Sequence, residues 1–175
     1  SHNVIAKVTG SKRPYEYIVY TAHWDHLGIG RPDVNGDTIY NGAYDNASGT
    51  AGLLELADAF ASLKTKPERT IVFLSVTAEE QGLWGSAYYA ENPIYPKEKT
   101  VANINMDGIN TFGRMKDVMV VGSGQSEMED YLREEAKELQ RDVLSDDEPE
   151  KGFYFRSDHF NFAKIGIPAL YLKNG

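Results

Sequence analysis

Apolar residues recur along this chain with two different periods. Short runs rich in Val, Ile and Tyr, at residues 3–8, 16–22, 70–76, 100–106, 117–121 and 169–172, read as strands. Several are apolar at successive rather than alternate positions, as strands covered on both faces are. Between them Leu53, Leu56, Phe60 and Leu63 share a face at helical spacing, and Met128, Leu132, Ala136 and Leu139 do the same. Ser126 and Glu129 stand in capping-box spacing ahead of the second stretch, offering acceptors to the free amides of a first turn. A third helix is expected from near Gly82 to a point before Pro93. The segment 28–44 carries the turn dipeptides Asn35-Gly36 and Asn41-Gly42 and reads as an excursion that returns the chain to where it left. Strands alternating with helices, without repeats or low-complexity tracts, predict an α/β fold.

Composition narrows the functional classes. A chain of 175 residues with 41% hydrophobic content builds one domain with one sizeable core, so residues 1–175 are taken as a single unit. Lys and Arg total 18 against 26 Asp and Glu, a net charge of −8, which disfavours nucleic acid and anionic membrane surfaces as partners. No apolar run approaches the ~18 residues needed to enter and cross a bilayer. With no Cys, disulfides, thiolate ligands and a cysteine nucleophile are all excluded, and a transition-metal site must come from His and carboxylates. The chain opens two residues before one strand-like run and stops on Asn174-Gly175 just after another, the expected look of an excised core.

Three of the expected strands run into ionisable residues: T-A-H-W-D-H at 21–26, S-V-T-A-E-E at 75–80 and N-I-N-M-D-G at 103–108. In open α/β sheets the carboxyl ends of strands are where ligands bind. A further acid, Asp45 in N-G-A-Y-D-N-A-S-G, precedes the first long helix, whose small opening residues Ala47, Ser48 and Gly49 permit close backbone approach. Asp45, Glu79, Glu80 and Asp107 gathered without compensation would repel one another, and a divalent cation is the economical remedy. His23 makes such a ligand set suited to zinc rather than calcium, and Asp25 two positions on can hold its other ring nitrogen. Of the adjacent Glu79 and Glu80, one can bind metal while its neighbour serves as general base. An adjacent glutamate pair is by itself an ordinary solvated face, so the weight rests on the ordered set.

That set, over nearly the whole chain, resembles the co-catalytic di-zinc exopeptidases, the family of zinc aminopeptidases that also includes glutamate carboxypeptidase and glutaminyl cyclase. The resemblance implies a three-layer αβα sandwich around a mixed, mostly parallel sheet, and hydrolysis of peptide or aminoacyl substrates with a water activated by two Zn²⁺. It implies that Asp45 bridges the metals, that His23 and Asp107 complete one position, that Glu80 serves the other, and that Glu79 is the general acid/base. It also implies a cis peptide at Asp45–Asn46. Y-F-R-S-D-H-F at 154–160 resembles the family's S-D-H segment, which makes Tyr154 the candidate oxyanion stabiliser. Asp158 is expected to hydrogen-bond structurally, His159 to pack or cap near the site, and His26 to act behind the ligands or at the surface. The family's second ligand histidine follows the last core strand, beyond Gly175, so one metal position is expected to be incomplete and this chain to hold at most one zinc tightly, with little activity. The resemblance carries a secreted or periplasmic setting and leaves oligomeric state and terminus preference open. Glutaminyl-cyclase-like acyl transfer and a non-catalytic binding domain on the same scaffold are the alternatives; the presence of both His23 and Asp107 favours the two-metal enzyme.

Overall fold

The computed structural model describes residues 1–173; Asn174 and Gly175, where the sequence stops, lie outside them. The chain runs β1 (Val4–Val8), β2 (Arg13–His23), β3 (Gly28–Ile29), β4 (Ile39–Tyr40), α1 (Gly49–Ser62), β5 (Arg69–Val76), α2 (Trp84–Glu91), β6 (Thr100–Met106), β7 (Asp117–Val120), α3 (Met128–Glu138), β8 (Asp142–Ser145), α4 (His159–Lys164) and β9 (Ala169–Lys173). Seven strands form one sheet in the order β1-β5-β2-β6-β9-β7-β8. Its centre is parallel, with β5, β2, β6 and β9 pointing the same way, and β1 and β7 join it antiparallel.

Both faces of that sheet are covered, which is why the central strands are apolar at consecutive positions. On one face Ala22, Ile71 and Phe73 pack against Leu53, Leu56 and Phe60 of α1, and further along the same face Leu170 and Ile104 meet Met128 and Leu132 of α3. On the other, Val19, Val72, Leu74 and Val76 pack against Tyr89 of α2 and Phe162 of α4. The result is the αβα sandwich. Among the described residues no helix is long and apolar enough to cross a membrane.

Some local expectations change. Glu129 does not close a capping box: its carboxylate accepts from the backbone N–H of Gly124, ahead of Ser126, and no side chain caps α3. The strand β8 and the helix α4 lie outside the elements that periodicity predicts. The first has no buried residue and the second spans six residues, too few for either period to register. The excursion after β2 is present as the two-residue strands β3 and β4, which pair only with each other.

Leu74 is fully buried at the middle of the sheet, whereas Leu54 on α1 is 68% exposed. Leu74→Ala is expected to lower unfolding stability by ~2–5 kcal/mol, and Leu54→Ala by no more than ~0.5 kcal/mol. Urea titration of the two variants checks both.

Candidate metal centre

The parallel registers bring the chemistry to one edge. His23 is the last residue of β2 and pairs with Val76, the last of β5; Thr21 pairs with Asn105, two residues before Asp107 at the end of β6. Past β5 the chain turns through Ala78 at φ 56° and delivers Glu79 and Glu80 to the same edge. Asp45 arrives from the other direction, in an irregular turn over Ala43–Ser48 just before α1, with a cis Asp45–Asn46 peptide as the resemblance implied. Asn46 pins this turn in place. Its Oδ1 accepts from the N–H groups of Gly49 (2.9 Å) and Gly108 (3.1 Å), and its Nδ2 donates to the Met106 carbonyl (2.9 Å). A Cβ on Gly49 would lie 2.3 Å from Asn46 Oδ1 and 2.5 Å from the Met106 carbonyl oxygen, so the small residue at the start of α1 is a requirement of that contact.

His23 is buried, with its Nε2 3.1 Å from Asp45 Oδ1 and 3.4 Å from Asp107 Oδ1. Its Nδ1 lies 3.1 Å from the backbone carbonyl of Asp25. A carbonyl can only accept, so Nδ1 carries a hydrogen and Nε2 is the atom left for a metal ion. Here the expectation for Asp25 needs correcting. Its carboxylate is 3.9 Å from Nδ1, outside hydrogen-bond distance, and instead accepts from the Glu79 N–H at 3.2 Å. Asp25 therefore orients the histidine through its main chain and the glutamate turn through its side chain.

Atoms able to hold a metal ion fall into two groups. His23, Glu79 and Asp107 form one, and His26, Asp45 and Glu80 the other, the atoms of each lying within 4.8 Å of one another. Asp45 touches both groups through its contact with His23. The donors are imidazole nitrogens and carboxylate oxygens, a set that fits zinc. His26, expected behind the ligands or at the surface, sits behind Glu80 with Nδ1 2.6 Å from Oε1. One other residue departs from the sequence reading. Tyr154 is not brought to the centre: it lines a separate cavity with Gln125, Ser126 and Pro168, its ring lying against Gly122 and edge-on to His159. The spacing to S-D-H placed it by motif alone and could not register that packing. Asp158 accepts from Ser86 Oγ (2.5 Å) and His159 packs between the rings of Tyr154 and Tyr171, both in structural roles.

Charge perturbation concentrates at the same edge. Burial would lower the pKa of His23, but hydrogen bonds to Asp107 and Asp45 outweigh it and push it up to about 11. Burial raises Glu79 to about 8, with Asp158, Asp107 and Glu80 adding to the effect. The hydrogen bond from His23 holds Asp45 below the usual carboxylate range. The field that keeps a proton on His23 is the field a divalent cation would neutralise, displacing that proton.

Asp45, Glu79, Glu80 and Asp107 form the acidic wall of a cavity of about 400 Å³. Facing them are residues the sequence reading missed: Arg156 and Lys173, the rings of Tyr44 and Phe153, and Tyr171 at the end of the sheet. Ser157 was missed as well. Its Oγ donates to Asp107 Oδ2 at 2.6 Å and accepts from Asn105 Nδ2 at 2.8 Å. The position of Ser157 within the S-D-H segment was the available signal.

Known proteins resemble this chain in sequence and in fold. Residues 3–175 match the model of a family described as Peptidase family M28. Over 90 residues, 51% of this chain and 18% of the relative, the sequence is 46% identical to a probable zinc metalloprotease of Pyrenophora tritici-repentis. The fold matches an aminopeptidase from Aneurinibacillus sp. strain AM-1 with a TM-score of 0.76 and 26% identity, over 100% of this chain and 39% of that one. It matches an Acidobacteriales bacterium glutaminyl cyclase with a TM-score of 0.67 and 21% identity, over 97% of this chain and 57% of that one, a likeness of fold.

A histidine whose folded pKa is raised contributes stability that is complete below its unfolded pKa of ~6.5 and is lost as pH rises through the folded value of about 11. In chelator, wild type should therefore exceed His23→Gln in melting temperature by most below that lower limit, and the gap should close steadily towards high pH. Paired thermal melts across that range test it; a gap independent of pH would refute the assignment.

Proposed function

The chain belongs to peptidase family M28, and on that footing we propose that it is the core of a zinc-dependent exopeptidase, an aminopeptidase working with two zinc ions. The supporting observation is the pairing of His23 Nε2, left for a metal by the Asp25 carbonyl, with Asp45 and Asp107 beside adjacent Glu79 and Glu80. Because the chain spans only 18% of the curated relative and 39% of the aminopeptidase it matches, activity and substrate are proposed for the whole protein.

When bound, zinc would acidify a water and polarise the scissile carbonyl. His23 and Asp107 would hold it at one position, Asp45 would lie between positions, and Glu80 would serve the other. Glu79 has the properties of the base: it lines the cavity, its turn is held by Asp25, and burial lifts its pKa to about 8, which the charge of bound zinc would bring down towards neutrality, where a carboxylate exchanges protons most effectively. It would take the proton from the attacking water and return it to the departing amine, so that its charge is restored after each turnover.

Arg156 and Lys173 favour a second reading, in which the cationic wall holds a free carboxylate and the enzyme works from the carboxyl end or on very short peptides. A glutaminyl-cyclase-like acyl transfer has less support, since the fold likeness alone points to it.

In zinc-loaded protein, Glu79→Gln should leave the metal content unchanged and lower kcat on aminoacyl substrates by the ~10²–10⁴ typical of a general base. Loss of zinc with no separate defect would exchange the roles of Glu79 and Glu80. Peptides blocked at one end or the other separate the two substrate readings: an aminopeptidase tolerates an amidated carboxyl terminus. Under the second reading Lys173→Ala should raise KM only for substrates that carry a free one.

A further inference from the structure

We propose that Thr21 and Asn103, buried in the sheet beneath the site, are positioning residues that hold Asp107 with Oδ2 as a hydrogen-bond acceptor and Oδ1 alone left for the metal. The inference rests on the zinc reading above and extends it to strand residues that do not line the cavity.

The direction of each bond follows from groups that can only accept. The Val19 carbonyl is the first of them. Asn103 presents Nδ2 to it at 3.2 Å, and the same nitrogen donates to Thr21 Oγ1 at 3.1 Å. With a donor already at its oxygen, the Thr21 hydroxyl turns its hydrogen to Asn105 Oδ1 at 2.7 Å. That sets Asn105 Nδ2 towards Ser157 Oγ at 2.8 Å, and the Ser157 hydrogen is left for Asp107 Oδ2 at 2.6 Å. Reversing the Asn103 amide would set oxygen against the Val19 carbonyl oxygen. Reversing Asn105 would draw the Ser157 hydrogen away from Asp107.

The series is built into the register of the strands, which pairs Val19 with Asn103 and Thr21 with Asn105. Thr21, Asn103, Asn105 and Ser157 are each no more than 2% exposed, so bulk water does not compete for their bonds. The orientation of Asn103 is kept although it leaves Oδ1 buried without a partner among the described residues. Apolar side chains would fill the same space with no such constraint, so what the polar series adds is direction. At its end Ser157 occupies Oδ2, and Oδ1 is the oxygen that faces His23 Nε2 at 3.4 Å.

The test measures zinc affinity by competition with a chromophoric chelator in wild type, Thr21→Val, Thr21→Ser, Ser157→Ala and the double variant of Thr21→Val with Ser157→Ala. Thr21→Val keeps the shape and removes the hydroxyl. It should weaken the tightest zinc by ~10-fold or more, within the ~10–100-fold range of groups acting behind a ligand, and Thr21→Ser should restore the affinity. On the Ser157→Ala background Thr21→Val should lower it no further, because the series is already cut. Wild-type affinity in Thr21→Val, or a loss that adds in full to that of Ser157→Ala, would overturn the proposal and leave the zinc reading standing. No zinc bound by wild type would overturn both. Where Thr21→Val does not fold, NMR of the wild type reads the direction itself: the side-chain amide protons of Asn105 should show contacts to Ser157 and none to Thr21, and the opposite pattern would overturn the proposal.

Discussion

Repulsion among carboxylates is what the rest of this molecule is arranged around. Asp45, Glu79, Glu80 and Asp107 line one cavity at one edge of one sheet, and Asp158 lies close enough to push on Glu79. Such a gathering is unfavourable unless positive charge is supplied, and the protein's own supply is modest: a buried His23 held protonated, and Arg156 and Lys173 lining the same cavity. Burial further disfavours the charged forms, so hydrophobic packing stabilises the sheet while working against the groups at its rim. Two divalent ions would resolve the conflict where uncharged packing could not.

Because those groups must be held against their own repulsion, the core below them is wired with directed hydrogen bonds. Asn103 donates to Thr21, Thr21 to Asn105, Asn105 to Ser157, and Ser157 to Asp107, all but the last of these residues fully or almost fully buried. Every proton in the series points towards the carboxylate. Bonds in such a chain polarise one another, so the fixed orientation of Asp107 is owed partly to the amide of Asn103, four residues back along the chain. Two other groups of the site are tied similarly: His23 by the Asp25 carbonyl and, through its own carbonyl, by Thr50, and Asp45 by the clasp of Asn46.

The central strands were legible because a short run of consecutive apolar residues, rich in β-branched side chains, suits a strand covered on both faces. The helices α1 and α3 were legible because eleven or more residues give the period room to repeat. His23, Asp45, Glu79, Glu80 and Asp107 were legible because each stands at a strand end or helix start, where a parallel sheet brings distant segments together. What escaped notice depends on where loops fold. The approach of His26 to Glu80 requires the excursion to close on Gly42, the carboxylate of Asp25 could not be known to prefer the Glu79 amide, and Tyr154 was turned away by packing on Gly122. The basic wall is likewise built from a segment after α3 and the last strand, which no local pattern links to the acids.

The excursion itself gains a different character from this geometry. His26 and Asp45 stand at its two ends, and the residues between them are nearly all exposed, with Ile29 at 83% and Val34 at 100%, so little burial holds them in place. What closes it is packing at its neck, where Gly42 presses on His26 and Asn46 clasps the turn that carries Asp45. By the entropy of loop closure each doubling of such a loop costs only ~0.6 kcal/mol, so its length is nearly free to change while its two ends stay fixed. The excursion is thus a stretch where the surface can vary from one sequence to the next without disturbing the groups held at its base.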